Sequence, residues 1–314
     1  MTIIAISRAS RYSPNHIGND AAIFNAVVDE LRRTGHTVLP CNEEELLHMS
    51  LPEASLTVVT MARDGRTISR LLEWESAGAT VINSPQGVLN CVRRPMTELL
   101  LQHGIPHPKS WILTTAEPLP ADLTFPCWLK RGDSHAIVKE DVCYAATPDE
   151  ALRSLADMHR RGIPTAVANE HLPGDLVKFY GVQGDSFFHW FYPSAASHSK
   201  FGQEAINGQP QGHPFSSSLL KQCADTAAHA LSVPIHSKFG LEAINGQPQG
   251  HPFSPSLLKQ CADTAARALS VPIYGGDAVV SPDGSLRIID FNDFPSFAPC
   301  RPEAAKAIAR RVTK

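Results

Sequence analysis

The chain has no long apolar run and no excess of basic residues. No segment approaches the roughly 18 consecutive apolar residues of a membrane-spanning helix, and the first residues turn polar too soon for a secretory signal peptide. Twenty-eight Lys and Arg against 31 Asp and Glu give a net charge of −3, too little positive charge to neutralise a nucleic-acid backbone. We therefore expect a cytoplasmic protein that binds neither membrane nor nucleic acid and acts on a small-molecule substrate.

The cysteines also lack the spacings typical of metal sites. Seven are present, with no CxxC or CxxH pair that would bind zinc, and an odd number argues against a complete set of disulfides. We interpret them as reduced thiols in the core. The apolar fraction of 43% and the charged fraction of 19% are ordinary for a globular protein of several lobes.

What the sequence does contain is a near-identical internal repeat. Residues 198–235 and 236–273 are adjacent 38-residue segments that differ only at Gln203/Leu241, Ser217/Pro255 and His229/Arg267. Solenoid repeats diverge and come in threes or more, so we interpret this pair as a recent or engineered tandem duplication.

Each copy of the repeat predicts a short strand, a polar turn and a helix, of which the parent fold needs one set. Ser254 as N-cap and Pro255 at the first helical position favour the second helix, about Ser256–Leu269, as the native one. A hybrid is equally compatible with the chain on either side of the repeat. It would use the strand of the first copy, in place of Lys238–Ile244, together with the helix of the second copy. The surplus residues would protrude, disorder, or exchange with a second copy in a homodimer.

The first 92 residues alternate short apolar runs with amphipathic stretches, as in a parallel sheet flanked by helices. The predicted strands are Thr2–Ser7, Thr37–Cys41, Leu56–Met61 and Thr80–Asn83, and the predicted helices are Asp20–Thr34, Thr67–Ala77 and Pro95–His103. Ligands bind such sheets at the carboxyl ends of the strands. The candidate substrate loops are therefore 7–19, 61–63 and 83–85.

The order of predicted elements changes after a proline-rich segment near Gly104, where hairpins replace the alternation of strands and helices. We predict three units: an α/β domain over 1–92, a first lobe over 93–164 and a second lobe over 165–314. The strands and helices expected after residue 104 are Phe125–Arg131, Ile137–Ala146, Pro148–Arg161, Thr165–Leu172, Asp175–Gly184, Ser186–Pro193, Asp277–Val280, Leu286–Phe291 and Pro302–Val312. The fold class is mixed α/β.

Three oxygen-bearing side chains mark the last predicted hairpin. Asp277 lies on one strand, and Asp290 and Asn292 share a face of the next because strand side chains repeat every two residues. Carboxylate and amide oxygens are hard ligands that suit Mg²⁺, which also takes water and phosphate oxygens. A solvated acidic strand end is the plainer alternative, but the neighbouring Ile and Phe residues indicate a buried strand.

Lysines end or interrupt several apolar strands, where an ammonium group needs an anion. Lys130 ends the run Pro126–Lys130, Lys178 lies within Leu176–Gly181, and Lys200 or Lys238 lies in the repeat. Lysines that converge beside a magnesium site would surround a triphosphate. For each lysine, an ammonium group that extends to solvent is as plausible as one that binds phosphate.

The order of these features resembles the ATP-grasp superfamily, which includes glutathione synthetase and D-alanine–D-alanine ligase. The resemblance runs from about Arg93 to Phe297 and depends on a strand lysine, the Glu170-His-Leu-Pro-Gly174 turn, a second lysine strand and the run Asp290-Phe-Asn-Asp-Phe-Pro-Ser296. It implies that ATP lies between two sheet-containing lobes, after an α/β domain.

The resemblance also implies roles for individual residues. Arg94, or Arg93, and Lys130 would be the two basic residues that hold phosphates, with Lys178 and Lys238 as further phosphate contacts and catalytic lysines. Glu170, His171 and Leu172 would form the hinge against the adenine, and Asp175 would contact the ribose. Asp277, Asp290 and Asn292 would bind Mg²⁺.

One departure concerns the loop after Lys130, Arg131–Ala136, which is usually rich in Gly and Ser but here has one Gly and an added Asp. The other departure is the duplication, which lies inside the ATP-binding lobe.

The leading hypothesis is an ATP-dependent carboxylate–amine ligase that forms an acyl phosphate. The alternatives are a small-molecule kinase of the same fold, acting on a polyol, or an ATP-binding protein inactivated by the duplication. Arg8, Arg11 and Arg63, near the predicted N-terminal loops, would bind the substrate of either the ligase or the kinase.

Overall fold

A computed structural model describes residues 1–14, 16–50, 55–193 and 249–314. These residues form one parallel and two antiparallel four-stranded sheets, each flanked by helices, which confirms the mixed α/β class. None of the described helices combines the length and the apolar character that crossing a bilayer requires. The first copy of the repeat, the predicted strand Lys238–Ile244 and both Lys200 and Lys238 lie outside the described residues.

The N-terminal sheet is parallel, with strand order β2-β1-β3-β4. Its elements are β1 (Thr2–Ser7), α1 (Ile17–Arg33), β2 (Thr37–Asn42), α2 (Glu43–Leu47), β3 (Thr57–Thr60), α3 (Gly65–Ser76), β4 (Thr80–Ile82) and α4 (Pro85–Asn90). The four predicted strands are confirmed, with ends shifted by one residue at most. Helices α2 and α4 were not predicted because five and six residues are too few to show a helical period.

The first lobe is an antiparallel sheet of order β5-β8-β6-β7. It follows α5 (Arg93–Gln102) and contains β5 (Ser110–Thr114), β6 (Cys127–Arg131), β7 (Val142–Ala145), α6 (Pro148–Arg160) and β8 (Thr165–Glu170). The predicted pairing of β6 with β7 is confirmed, from Cys127–Ala145 to Lys130–Val142. Strand β5 was missed because proline-rich sequence precedes it.

The second lobe is an antiparallel sheet of order β10-β9-β11-β12. Its described elements are β9 (Asp175–Val182), β10 (Phe188–Phe191), α7 (Pro255–Leu269), β11 (Ile273–Val280), β12 (Leu286–Asp293) and α8 (Arg301–Val312). Both predicted hairpins, β9–β10 and β11–β12, are confirmed.

Helix α7 comes from the second copy of the repeat, as its capping residues predict. The Ser254 side chain accepts a hydrogen bond from the Leu257 amide at 3.2 Å, and Pro255 is the first helical residue. Leu258, Ala262 and Leu269 are fully buried against the second-lobe sheet. The second copy therefore supplies this helix of the fold.

Two elements pack outside the unit to which sequence reasoning assigned them. Helix α8, at the C-terminus, packs on α1 and β1 in one core that includes Ile23, Leu31 and Ile308. Helix α5 buries Met96 and Leu100 in the core of the second lobe rather than in that of the first. Helix α8 thereby joins the second lobe to the N-terminal domain, and helix α5 joins the first lobe to the second.

Candidate active site

A cleft of about 180 Å³ opens where the carboxyl ends of β1 and β3 meet the second-lobe sheet. The N-terminal domain lines it with residues from two of the three predicted substrate loops, and the second lobe lines it with the predicted metal and lysine positions. The polar lining residues are Arg8, Ser13, His16, Asp20, Arg63, Lys178, Tyr180, Asp277, Asp290, Asn292, Asp293 and Ser296. The third loop does not contribute, because Asn83 is fully buried and its side chain binds the Ile273 backbone N–H and C=O, both at 2.8 Å.

The proposed metal residues face this cleft together. Asp277 and Asp290 are direct cross-strand partners on β11 and β12, Asn292 lies two residues along on the same face, and Lys178 is the partner of Asp277 on β9. The Lys178 ammonium lies 3.7 Å from the Asp277 carboxylate. Sheet register thus brings together Lys178 and Asp277, which are 99 positions apart in the sequence.

Asp290 is already bound to a cation. Arg93, the first residue of α5, reaches both of its carboxylate oxygens, with Nη1–Oδ1 at 2.8 Å and Nη2–Oδ2 at 3.2 Å. Both residues are buried. Arg94, the alternative phosphate residue, is exposed on α5 and pairs with Glu98 at 2.9 Å, so it is Arg93 that contacts a residue of the cleft.

Lys130 and His107 bind neighbouring carbonyls of β12. The Lys130 ammonium donates to the Ile289 carbonyl at 3.0 Å, and His107 Nδ1 donates to the Ile288 carbonyl at 2.6 Å. Burial lowers the pKa of His107 to about 4, and the charge of Lys130 adds to the effect. Arg93, His107 and Lys130 therefore contact three consecutive residues of the strand that carries Asp290.

Asp293 is the centre of an ion cluster that sequence reasoning did not identify. Its carboxylate lies 2.6 Å from Arg63 and 3.4 Å from Arg8, and Arg8 also pairs with Asp20 at 3.0 Å. Burial alone would raise the pKa of Asp293, but the charges of Arg63 and Arg8 outweigh it and lower that pKa to about 2. Two features of the sequence could have indicated this cluster: Asp293 directly follows Asn292, and Arg8 and Arg63 each follow closely on a strand of the parallel sheet.

A buried glutamate fixes the loops that carry these arginines. Glu43, at the start of α2, accepts the backbone N–H groups of Ala9 at 2.7 Å, Arg63 at 3.1 Å and Asp64 at 2.6 Å. Ala9 follows Arg8 on the β1 loop, and Arg63 and Asp64 lie on the β3 loop. One carboxylate therefore sets the spacing of the two loops at the sheet edge.

The predicted hinge residues lie at the end of β8 and the start of β9. Glu170 accepts the Lys109 backbone N–H at 2.8 Å, and His171 accepts a hydrogen bond from the Trp128 indole at 3.1 Å. Leu172 is half-buried. The Asp175 carboxylate accepts the Gln249 and His251 backbone N–H groups at 2.8 and 2.9 Å, so it anchors the segment that leads into α7.

The loop after Lys130 carries charges that pair with each other and with the cleft. Asp133 binds Arg131 at 2.6 Å, so the added acid neutralises the nearest base of the loop. His135 places Nε2 3.7 Å from the Asp293 carboxylate. Burial, and after it the charge of Arg63, lowers the pKa of His135 to about 3.

The donor set fits magnesium better than it fits a transition metal. Among the described residues, no group of three or more His, Cys, Asp or Glu side chains is placed to hold a metal ion. Two carboxylates and one amide oxygen in one cleft are the incomplete protein shell that Mg²⁺ uses when phosphates and water supply the other ligands. Of the His and Cys side chains that zinc and copper prefer as ligands, the described part of the chain contributes only His16 to the lining.

No protein-family model matches the chain, and no curated protein matches it in sequence. Its fold nevertheless superposes on solved structures over nearly the whole length. D-alanyl-alanine synthetase A from Vibrio cholerae has a TM-score of 0.60 at 13% identity, covering 100% of this chain and 97% of that one. D-alanine–D-alanine ligase from Bacillus anthracis, complexed with ATP, has a TM-score of 0.59 at 15% identity, covering 99% and 95%.

A third similar structure is the ATP-grasp ligase PsnB complexed with a minimal precursor, Mg and ADP. Its TM-score is 0.54 at 17% identity, and the match covers 99% of this chain and 98% of that one. Similarity at these identities establishes the fold. The predicted order, a parallel α/β domain followed by two sheet-containing lobes, is therefore confirmed as the fold of ATP-grasp ligases.

Proposed function

We propose that this protein is an ATP- and Mg²⁺-dependent ligase that joins a carboxylate to an amine through an acyl phosphate. The observation that carries the proposal is the cleft itself. It combines the carboxylate–amide set of β11 and β12 with a strand lysine, and it opens toward the arginine-bearing loops of the N-terminal domain. Fold similarity to ligases complexed with ATP, or with Mg and ADP, supports the same reading.

In this proposal Asp277, Asp290 and Asn292 hold Mg²⁺, which neutralises phosphate charge when it is bound. Lys130, Lys178 and Arg93 bind the phosphates, and Glu170, His171, Leu172 and Asp175 border the adenosine end. Lys238 stays a predicted phosphate contact from the repeat. The acid and the amine enter from the side of Arg8 and Arg63.

The reaction then needs positioning and charge neutralisation rather than a protein nucleophile. A carboxylate oxygen of the acid attacks the γ-phosphorus of ATP, and the bond to the β-phosphate oxygen breaks to release ADP. The amine nitrogen attacks the acyl carbon, the bond from carbon to the phosphate oxygen breaks, and the amine loses a proton as phosphate leaves. The sum is acid, amine and ATP to amide, ADP and phosphate.

A screen of paired acids and amines tests this reaction directly. We expect release of ADP and phosphate in equal amounts only when both partners are present with Mg-ATP. Asp290→Asn should lower the rate by about a hundredfold, because a transition-state charge contact is lost. Asp283→Asn, at the exposed turn of the same hairpin, is the matched control and should keep the wild-type rate.

Other outcomes of the screen separate the alternatives. ADP formed with a polyol alone, together with a stable phosphorylated product, would replace the ligase with a kinase. Arg8, Arg11 and Arg63 pair with Asp20, Asp64 or Asp293 and would serve either kind of substrate, so they do not favour the kinase over the ligase. Failure to bind Mg-ATP at all would support a protein inactivated by the duplication.

A further inference from the structure

The metal carboxylates of the cleft are already neutralised by protein cations. Asp290 is bound at both oxygens by Arg93, and Asp277 lies 3.7 Å from Lys178. The two acids and the two bases balance in charge. A magnesium ion at Asp290 would therefore compete with an arginine that is already in place.

The Arg93–Asp290 pair has the features of a site that must hold a cation at all times. Both side chains are buried, with relative exposures of 7% and 5%. A buried carboxylate without a cation is strongly unfavourable, because the charge that remains is neither solvated nor paired. Planar guanidinium is also the cation that best matches both oxygens of one carboxylate.

Arg93 is positioned so that it can change partners. It is the first residue of α5, and it reaches the cleft only through Asp290, the lining residue that it binds. Asp290 directly follows Ile289, whose carbonyl accepts a hydrogen bond from Lys130. Mg-ATP brings a divalent cation and an excess of phosphate charge together. The cation suits Asp290, and the phosphates suit the guanidinium that it displaces.

We propose that Arg93 is a placeholder cation, which occupies the metal carboxylate Asp290 in the nucleotide-free protein and transfers to the phosphates when Mg-ATP binds. The second half of this inference, the transfer of Arg93 to the phosphates, rests on the proposed function. The first half, the occupation of Asp290 by Arg93, concerns only how tightly the nucleotide-free cleft binds a divalent cation. The placeholder makes metal binding depend on nucleotide, because the metal alone offers the displaced arginine no anion.

Mn²⁺ without nucleotide is the probe, since free Mn²⁺ has an EPR signal that is lost on binding. The wild type should bind Mn²⁺ at this cleft only when a non-hydrolysable ATP analogue is present. Arg93→Ala should bind Mn²⁺ alone at least about tenfold more tightly than the wild type does. Arg160→Ala removes an exposed arginine of α6, which pairs with Asp157 at 3.1 Å outside the site, and should behave as the wild type.

Arg93→Lys covers the case in which Arg93→Ala does not fold, because it keeps a cation that binds Asp290 through a single point. We expect it to bind Mn²⁺ alone with an affinity between those of wild type and Arg93→Ala. Added Mn²⁺ should also raise the melting temperature of both Arg93 variants and leave that of Arg160→Ala unchanged.

Equal Mn²⁺ affinities in wild type and both Arg93 variants would overturn the placeholder. For the second half, Arg93→Ala should weaken binding of the ATP analogue with Mg²⁺ by about tenfold, and an unchanged affinity would overturn the transfer to phosphate. A wild type that binds no ATP analogue would contradict the proposed function, whereas the nucleotide-free Mn²⁺ comparison would still decide the first half.

Discussion

Glu43 connects two loops at the edge of the N-terminal sheet. Its two carboxylate oxygens accept three backbone N–H groups from two loops, and the residue is only 3% exposed. The arginines that those loops carry converge on Asp293, although Arg8 and Asp293 are 285 residues apart and Arg63 and Asp293 are 230 apart. The ion cluster thus depends on a residue that does not touch it.

Glu43→Ala should lower the free energy of unfolding by about 2–4 kcal/mol, because it leaves buried N–H donors without acceptors. Urea denaturation followed by circular dichroism measures the change. Glu44→Ala removes the exposed neighbour on the same helix and should stay within about 0.5 kcal/mol of wild type. Equal losses in the two variants would show that the three hydrogen bonds of Glu43 contribute nothing.

His107 predicts a specific acid sensitivity. Its pKa is lowered to about 4 in the folded protein, against about 6.5 in an unfolded chain, so protons bind preferentially to the unfolded state. The stability contributed by the neutral ring is fully present above pH 6.5 and is lost as the pH falls toward 4. The loss amounts to up to about 3 kcal/mol.

His107→Gln should therefore show a shallower fall in unfolding free energy between pH 6.5 and 4 than wild type does. Denaturant titrations at several pH values across this window provide the slopes. His103→Gln, an exposed histidine four residues away, should retain the wild-type slope. The attribution to His107 is wrong if its variant keeps that slope too.

At the scale of elements, the strands were predictable and their long-range contacts were not. Alternating apolar residues located β6, β9, β11 and β12, and period two placed Asp290 and Asn292 on one face. The partner of Asp290 is set by how α5 packs on the second lobe, 197 residues away in sequence, so a choice between Arg93 and Arg94 needed the tertiary structure. Short helices such as α2 and a strand after prolines, β5, have too little pattern to be recognised.

The N-cap of helix α7 can be tested by mutation, since it predicted that the second copy of the repeat supplies this helix. Ser254→Ala removes the side-chain acceptor of the Leu257 N–H and should cost about 1 kcal/mol of unfolding free energy. Gln260→Ala, on the exposed side of the same helix, should change it by less than about 0.5 kcal/mol. Equal values for the two variants would mean that the cap at Ser254 does not hold this helix.

At the scale of the whole molecule, the two ends of the chain meet around the cleft. Helix α8 packs on α1, and the Asn83 side chain pairs with the backbone of Ile273. These contacts hold the N-terminal loops that carry Arg8 and Arg63 against the strand that carries Asp290 and Asn292. A composition balanced in charge and typical of globular proteins predicts such a multi-lobed protein but not which of its faces meet.

Calorimetric titration of Mg-ATP into the protein tests the central claim most directly. The account predicts one Mg-ATP site in the wild type, at least about tenfold weaker binding in Lys178→Met, and unchanged binding in Lys109→Met, whose lysine lies on the exposed surface near Asp122. Tenfold weaker binding corresponds to about 1.4 kcal/mol. Absence of Mg-ATP binding by the wild type, or equal affinities in all three proteins, would contradict the assignment of this cleft as the nucleotide site.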